Sequence, residues 1–319
     1  MGKSKKKLTG AEIIWECLIQ EGVDVVFGYP GGTILPAYDA LNNYSDKIHH
    51  VLVRHEQGAT HMADGYARSS GKVGVAMATS GPGAANMVTG IATAMMDSSP
   101  IVCITGQVPR AAIGSDAFQE TDIAGTVIPV SKHSYLVMDI HNLASTIKEA
   151  FTVARSGRPG PVLVDIPKDI QTEAIEFDYP LGPVTIPGNN IAQKAELNEL
   201  EQAATLIGKA KKPVILAGHG ILLSGASKEI VEMAEIANIP IGWTLLGSGA
   251  VPASHPLNMG MMGMHGEFAV NNAIQKADLL IACGMRFDDR VTGNIKTYSP
   301  DSKKIHIEID PAEINKNVR

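Results

Sequence analysis

With 319 residues the chain exceeds the size at which one core usually stops growing, roughly 250 to 300 residues, so its length predicts two domains. Hydrophobic residues make up 45% and charged residues 19%, the balance of an ordinary globular protein with ample material for real cores. The 27 basic against 33 acidic residues (net −6) leave no broad electropositive surface, which argues against nucleic acid as the main partner, and no run of about 18 uninterrupted apolar residues is present to span a membrane.

The start, Met1-Gly2-Lys3-Ser4-Lys5-Lys6-Lys7, has no apolar signal region, and Lys6 stands where a myristoylation motif needs Ser or Thr, so residues 1–9 read as a solvated, disordered basic tail. From 10 to 170 short apolar runs alternate with helical stripes. Strands are predicted at 23–27, 49–53, 73–79, 101–105 and 162–166, and Ala59, Met62, Ala63 and Tyr66 recur at the i, i+3, i+4, i+7 spacing of a helix. Such alternation predicts an α/β domain, a doubly wound parallel sheet with helices on both faces. Residues 171–194, broken by Pro180, Gly182, Pro183, Pro187 and Gly188, read as a linker. The pattern restarts over 195–319. Leu200, Ala203, Ala204 and Ile207 form a helix stripe, and Ala226, Ile230, Met233, Ala234 and Ala237 form another. Further strands are predicted at 213–217, 239–244, 279–283 and 304–309. This second domain is also expected to be α/β; with a helix beginning at Asp310-Pro311-Ala312, it reads as either small or incomplete at its C-terminal side. Cys17, Cys103 and Cys283 are far apart and set in apolar stretches, which suits reduced core thiols in the cytoplasm rather than a disulfide framework or metal cluster.

The most informative residue is Glu56. It lies where the apolar run 49–53 gives way to the helical stripe, and a carboxylate there loses hydration unless something uses it. The carboxyl ends of strands are also where open α/β sheets bind ligands. The alternative is a carboxylate that caps its own helix or pairs with Arg54. Two Gly-rich turns follow strands nearby, Gly28-Tyr29-Pro30-Gly31-Gly32 and Ser80-Gly81-Pro82-Gly83, each either a tight turn with no ligand or a place for close backbone approach. In the second domain Gly218-His219-Gly220 resembles a dinucleotide-type turn with departed spacing. Glu308 and Asp310 either take ribose hydroxyls or cap the next helix; Arg286 and Arg290 either fork onto phosphate or pair with Asp288 and Asp289; Arg158 has the same ambiguity. His219, His255 and His265 lack metal-ligand spacing.

Taken together, YPGG (29–32), RHEQGATHMADGYAR (54–68), TSGPGAAN (79–86), QVPR (107–110), DAFQETD (116–122), RPGPVLVDIPKD (158–169), GMHG (263–266) and GMRFDDRVTG (284–293) closely resemble the catalytic subunit of acetohydroxyacid synthase, or acetolactate synthase, a thiamine diphosphate enzyme family that also carries FAD. The resemblance runs through nearly the whole chain. It implies a pyrimidine-binding domain followed by a Rossmann-like FAD-binding domain. Glu56 would hydrogen-bond N1′ of the thiamine aminopyrimidine and favour the imino tautomer that removes the C2 proton. Tyr29, Gly32, Asn86 and Gln119 would also lie near thiamine diphosphate, while Val108, Pro109, Phe118 and Lys168 would line the substrate approach across a dimer interface. FAD would use Arg158, Gly218, Gly220, Thr244, Leu245, Met264, His265, Gly284, Arg286, Asp288, Arg290, Val291, Glu308 and Asp310, in a largely structural role. The family places Mg²⁺ and the diphosphate in a third domain with a Gly-Asp-Gly motif; no such run occurs here, so that domain is expected to be absent, no metal ligand is expected in this chain, and the fragment alone is expected to be inactive. The implied reaction decarboxylates pyruvate and joins the remainder to pyruvate or 2-ketobutyrate, giving 2-acetolactate or 2-aceto-2-hydroxybutyrate for branched-chain amino acids. The implied assembly is a cytoplasmic homodimer or tetramer with a small regulatory subunit. A pyruvate oxidase or decarboxylase, or a non-catalytic FAD-binding or oligomerisation module, stays open beside it.

Overall fold

The computed structural model describes residues 6–186 and 194–319 and divides the chain into two compact units, Met1–Asn189 and Asn190–Arg319. Among the described residues the first unit has eight strands: β1 (Lys7–Thr9), β2 (Val25–Gly28), β3 (His49–Leu52), β4 (Gly74–Ala78), β5 (Ile101–Gln107), β6 (His133–Leu136), β7 (Val162–Pro167) and β8 (Ala174–Glu176). Six of them form one all-parallel sheet in the order β3-β2-β4-β5-β7-β6. Every residue of β4, β5 and β7 is buried because helices cover both faces, and that is why these strands read as unbroken apolar runs. Alternate residues feed two separate cores. Val75, Met77, Val102 and Ile104 pack with Trp15, Leu18, Ile147 and Phe151. Ala76, Ala78, Ile101 and Cys103 pack with Ala59, Ala63, Met87 and Ile91 on the other face.

That second face is assembled from small residues so that the helix Glu56–Ser70 lies close. A Cβ on Gly74 would come within 2.0 Å of the Ala63 carbonyl oxygen, and one on Gly90 within 1.9 Å of Thr60 Oγ1. On the first face Trp15 is fully buried and donates from Nε1 to the Ala37 carbonyl at 2.7 Å. Its helix, Gly10–Gln20, begins at a capping box between Thr9 and Glu12.

The second unit has five strands among its described residues: β9 (Pro213–Ala217), β10 (Ile241–Trp243), β11 (Asn258–Met261), β12 (Leu279–Cys283) and β13 (Lys303–Ile307). They form a parallel sheet ordered β11-β10-β9-β12-β13, with cores on both faces, one around Ile215, Ile230, Ile241 and Ile281, the other around Leu216, Val270, Ile274 and Leu280. The three cysteines are buried and unpaired by disulfides, and burial pushes the Cys283 thiol up to about 12. Among the described residues no helix is long and apolar enough to cross a membrane.

Several expectations are corrected. Lys7–Thr9 is not tail: it pairs antiparallel with Ala174–Glu176, so both lie within the first unit, and the segment expected as linker begins with Gln171, fully buried in the helix Lys168–Thr172. Residues 1–5 of the expected tail and 187–193 of the expected linker lie outside the described residues. Met62, placed in the helical stripe, is exposed, and no residue of the helix Leu197–Lys209 is fully buried, with Leu200 exposed and only Ile207 of the predicted stripe half-buried against the core. The helix expected from Asp310 is a single 3₁₀ turn, Pro311–Glu313.

Candidate active site

In the first sheet the chain winds outward from β2 to β3, then crosses back to β4 on the other side of β2. The order therefore reverses between β2 and β4, the switch point at which doubly wound sheets leave a crevice beyond their carboxyl ends. Both Gly-rich turns leave the sheet at this place, and Glu56 follows β3 beside it. The turns are latched to each other by hydroxyls: Thr33 Oγ1 is 2.9 Å from Thr79 Oγ1 and accepts from the Ser80 amide at 2.9 Å, while the Thr33 amide donates to Thr79 Oγ1 at 3.3 Å. Glycine is needed because these loops touch. A Cβ on Gly31 would fall 2.5 Å from the Thr79 side chain, and Gly81, at φ 60°, lies so close to Gln119 that a Cβ would sit 2.7 Å from its carbonyl oxygen.

Glu56 is the first residue of the helix Glu56–Ser70 and only 8% exposed. It does not cap that helix, because the cap position is held by His55, whose Nδ1 accepts the Gln57 amide at 3.2 Å. Its carboxylate instead reaches across the crevice, where Oε2 accepts a hydrogen bond from Asn86 Nδ2 at 3.0 Å. The other oxygen, Oε1, lies over Gly83, where a Cβ would stand 3.3 Å away. Its charge is felt inside the unit: burial first, and then Glu56, push the Tyr38 phenol well above its ordinary value. A buried carboxylate with one oxygen held by an amide and the other over a bare glycine can accept a hydrogen bond from a ring nitrogen or exchange a proton with it.

The other expected residues fall as follows. Tyr29 is partly exposed after β2, in the same turn as Gly32. Gln119, at φ 59°, packs on Gly81, and Phe118 beside it projects outward at 88% exposure. Val108 is buried, whereas Pro109 is exposed at the start of the turn after β5. Arg110 ties that turn to the helix that begins at Lys168, with Nε donating to Asp169 Oδ2 at 2.7 Å and its amide to Asp169 Oδ1 at 3.1 Å. Arg158 spans the end of the helix Val88–Asp97, where Nε donates to Ser98 Oγ at 2.9 Å and Nη2 to the carbonyls of Met95 and Met96. Reasoning along the sequence alone did not single out Thr33, Thr79, Gln107 or Asp165; Thr79, Gln107 and Asp165 lie within the TSGPGAAN, QVPR and RPGPVLVDIPKD runs, and Thr33 directly follows YPGG.

In the second unit the candidate flavin residues line up along the carboxyl ends of the strands. Gly218 and Gly220 follow β9, Thr244 and Leu245 follow β10, Met264 and His265 follow β11, Gly284, Arg286, Asp288, Arg290 and Val291 follow β12, and Glu308 and Asp310 follow β13. The glycines have a packing reason of their own: a Cβ on Gly218 would lie 2.1 Å from the Gly284 carbonyl oxygen, which also accepts the Gly220 amide at 3.0 Å. Carboxylates along this edge hold local backbone. Asp288 Oδ1 accepts the Arg290 and Val291 amides, Glu308 Oε1 the Ile309 amide, and Asp310 caps its 3₁₀ turn. Arg290 is well exposed and only loosely near Asp289, at 3.8 Å. Met264, Arg290 and Val291 line a cleft of about 280 Å³ together with Gly263, Asn271 and Tyr298.

The first unit carries a buried glutamate at the switch point of a doubly wound sheet, and the second unit has Rossmann strand order; each by itself fits the thiamine-dependent class of α/β enzymes. Comparison agrees. Residues 8–126 match the thiamine pyrophosphate enzyme N-terminal TPP binding domain and residues 200–319 the central domain of the same enzymes, so the chain belongs to the thiamine pyrophosphate enzyme family. It is similar to the probable acetolactate synthase large subunit of Methanocaldococcus jannaschii (51% identical over 98% of this chain and 53% of that protein). It is equally similar to the acetolactate synthase large subunit of Corynebacterium glutamicum (51%, covering 98% and 49%), and it is 49% identical to the acetolactate synthase of Arthrospira platensis (98% and 55%). The chain thus spans about half the length of the curated relatives it matches.

Proposed function

We propose that the chain is the ring-holding part of an acetolactate synthase large subunit, joining pyruvate to pyruvate or 2-ketobutyrate on the route to branched-chain amino acids. The carrying observation is Glu56: nearly buried, with no cation paired to it among the described residues, fixed by Asn86 through one oxygen and with the other close to Gly83. These residues fit the thiamine pyrimidine, because a flat heterocycle needs a bare glycine floor and an acceptor aimed at a ring nitrogen. Thiamine diphosphate, when bound, supplies the nucleophilic carbon that attacks the keto group. The part of this chain is to hold a carboxylate at the ring nitrogen, keep water from it and carry a proton there. Gln119 and Tyr29 flank the same crevice, and the turn Val108–Pro109, tied by Arg110 to the helix of Lys168, is placed to guide the keto acids.

FAD is assigned to the carboxyl edge of the second sheet, where exposed Leu245 and Met264 and the guanidinium of Arg290 offer stacking and charge. Because the Gly220 amide is already used by Gly284, Arg286 and Arg290 rather than that turn would meet phosphate oxygens. The diphosphate and Mg²⁺ are assigned to a motif outside these 319 residues, and the complete enzyme to a cytoplasmic dimer or tetramer with a small regulatory subunit.

The test is to supply the chain with the C-terminal half of the Corynebacterium glutamicum relative and assay pyruvate turnover. Acetolactate formation is expected. Oxygen consumption, release of free acetaldehyde, or flavin binding with no turnover would instead identify an oxidase, a decarboxylase or a non-catalytic flavin module.

A further inference from the structure

Outside the crevice, the first unit buries two carboxylates that the proposed chemistry does not use: Asp64, which is paired with Arg68, and Asp165. Asp165, in the middle of β7, is 1% exposed, and no cation pairs with it among the described residues; Thr105 Oγ1 donates to its Oδ1 at 2.7 Å and Gln107 Nε2 to its Oδ2 at 2.8 Å. Gln107, the last residue of β5, is itself 4% exposed and fully engaged. The same Nε2 donates to the Thr121 carbonyl at 2.8 Å, and Oε1 accepts the Val108 amide at 2.9 Å. The arrangement permits one amide orientation only. If the amide were turned over, its oxygen would face two acceptors and its NH₂ would face the Val108 N–H.

Thr121 closes the loop 114–121, which needs outside support. Asp116 and Gln119 both occupy the left-handed region, at φ 56° and 59°, a conformation that persists in non-glycine residues when the surroundings over-determine it. Within the loop Glu120 gathers the amides of Gly114 and Ala117, and these bonds hold its carboxyl below the usual range. The loop is attached to the sheet by Gln107, and the Ile123 amide shares the Thr121 carbonyl at 2.8 Å.

We propose that Gln107 is a positioning residue: its amide, aimed by the buried Asp165, ties the Thr121 carbonyl to the end of β5 and so sets where Phe118 and Gln119 stand. The statement about the loop is independent of the reaction; its consequence for ligands rests on the reading above that Gln119 meets thiamine diphosphate. It also explains the buried charge, since a carboxylate offers only acceptors and so selects the NH₂ group of Gln107 without ambiguity.

The experiment is hydrogen–deuterium exchange on the chain, read at the amides of residues 114–123 and at those of the helix Glu56–Ser70, with titration of thiamine diphosphate alongside. Q107L is expected to speed exchange at 114–123 at least about tenfold while leaving the helix unchanged. D165N is expected to stay near wild type, because an Asn there can accept from Gln107 and donate to the Thr105 hydroxyl; D165L is expected to behave like Q107L. Unchanged loop exchange in Q107L, or acceleration spread equally over the helix in both Q107L and D165L, would overturn the proposal. Local loosening in Q107L, with no thiamine diphosphate binding by the wild-type chain even when it is supplied with the diphosphate-binding half of a relative, would uphold the anchor and count against the functional reading instead.

Discussion

The two units place their candidate residues at the same position, the carboxyl ends of parallel strands, yet build that position in opposite ways. In the first unit the polar groups are buried and pinned by partners distant in sequence: Glu56 by Asn86, Thr33 by Thr79, Gln107 by Asp165. In the second, the carboxylates of Asp288, Glu308 and Asp310 close on amides one to three residues away, and Leu245, Met264 and Arg290 stand in solvent. Long-range pinning holds a reacting group to a fraction of an ångström; local capping shapes a ledge and leaves the exposed side chains to adjust to what lies on it. The difference matches a site for proton transfer in one unit and a site for binding in the other.

If that contrast is right, perturbing the first unit's buried groups has large consequences and trimming the second unit's edge has small ones. The largest stability effect is expected from Asp165. Burial, opposed by its two hydrogen bonds, raises its carboxyl from the ordinary carboxylate range to about 6. The native state therefore holds this proton more tightly than the unfolded chain does. The contribution is fully present below about pH 4 and is lost as pH rises through 6, on the order of 3 kcal/mol over the interval. Urea unfolding of the first unit measured between pH 4 and 7 should show this term in the wild type and lack it in D165N; identical pH slopes in the two would remove the argument.

Next in size is Gly83→Ala. Its Cβ would stand 2.7 Å from Thr79 Cγ2 and 3.3 Å from Glu56 Oε1, so either the latch or the carboxylate must move, at roughly 1–3 kcal/mol of unfolding free energy together with weaker thiamine diphosphate binding. Unaltered calorimetric stability and unaltered binding would show that the crevice has slack. The smallest effect is expected at the second unit's edge. Leu245→Ala, which trims a side chain 71% exposed, should change thermal stability by no more than about 0.5 kcal/mol while lowering flavin retention on gel filtration. A large fall in melting temperature would mean that this edge is structural.

Much of the fold was legible in the sequence because buried parallel strands are written as plain apolar runs: 213–217 and 279–283 match β9 and β12, and β2, β4, β5 and β7 differ from expectation only at their ends. The edge strands β3 and β13 were legible, but β6, β11 and the paired strands β1 and β8 were not. β6 alternates poorly and is half-exposed, and β1 is a lysine-bearing stretch whose strand character comes wholly from pairing with Ala174–Glu176, far along the chain. Glu56 could be found because an ionisable group between a strand and a helix is conspicuous. Its companions could not, since Thr33 and Thr79 lie 46 residues apart and Gln107 and Asp165 58 apart, and only the register of the sheet brings them together. The flavin residues were named through resemblance, and local capping explains several of them equally well.

The central claim, that Glu56 exchanges a proton with the thiamine ring, is tested most directly by the rate of C2 hydrogen–deuterium exchange in bound thiamine diphosphate. The comparison is wild type against E56Q, in the chain supplied with the diphosphate-binding half of a relative. Gln can still accept from Asn86 Nδ2, so the crevice should survive the change. The account predicts exchange slower by roughly 10²- to 10⁴-fold in E56Q with the cofactor still bound. Exchange at the wild-type rate in E56Q would contradict it.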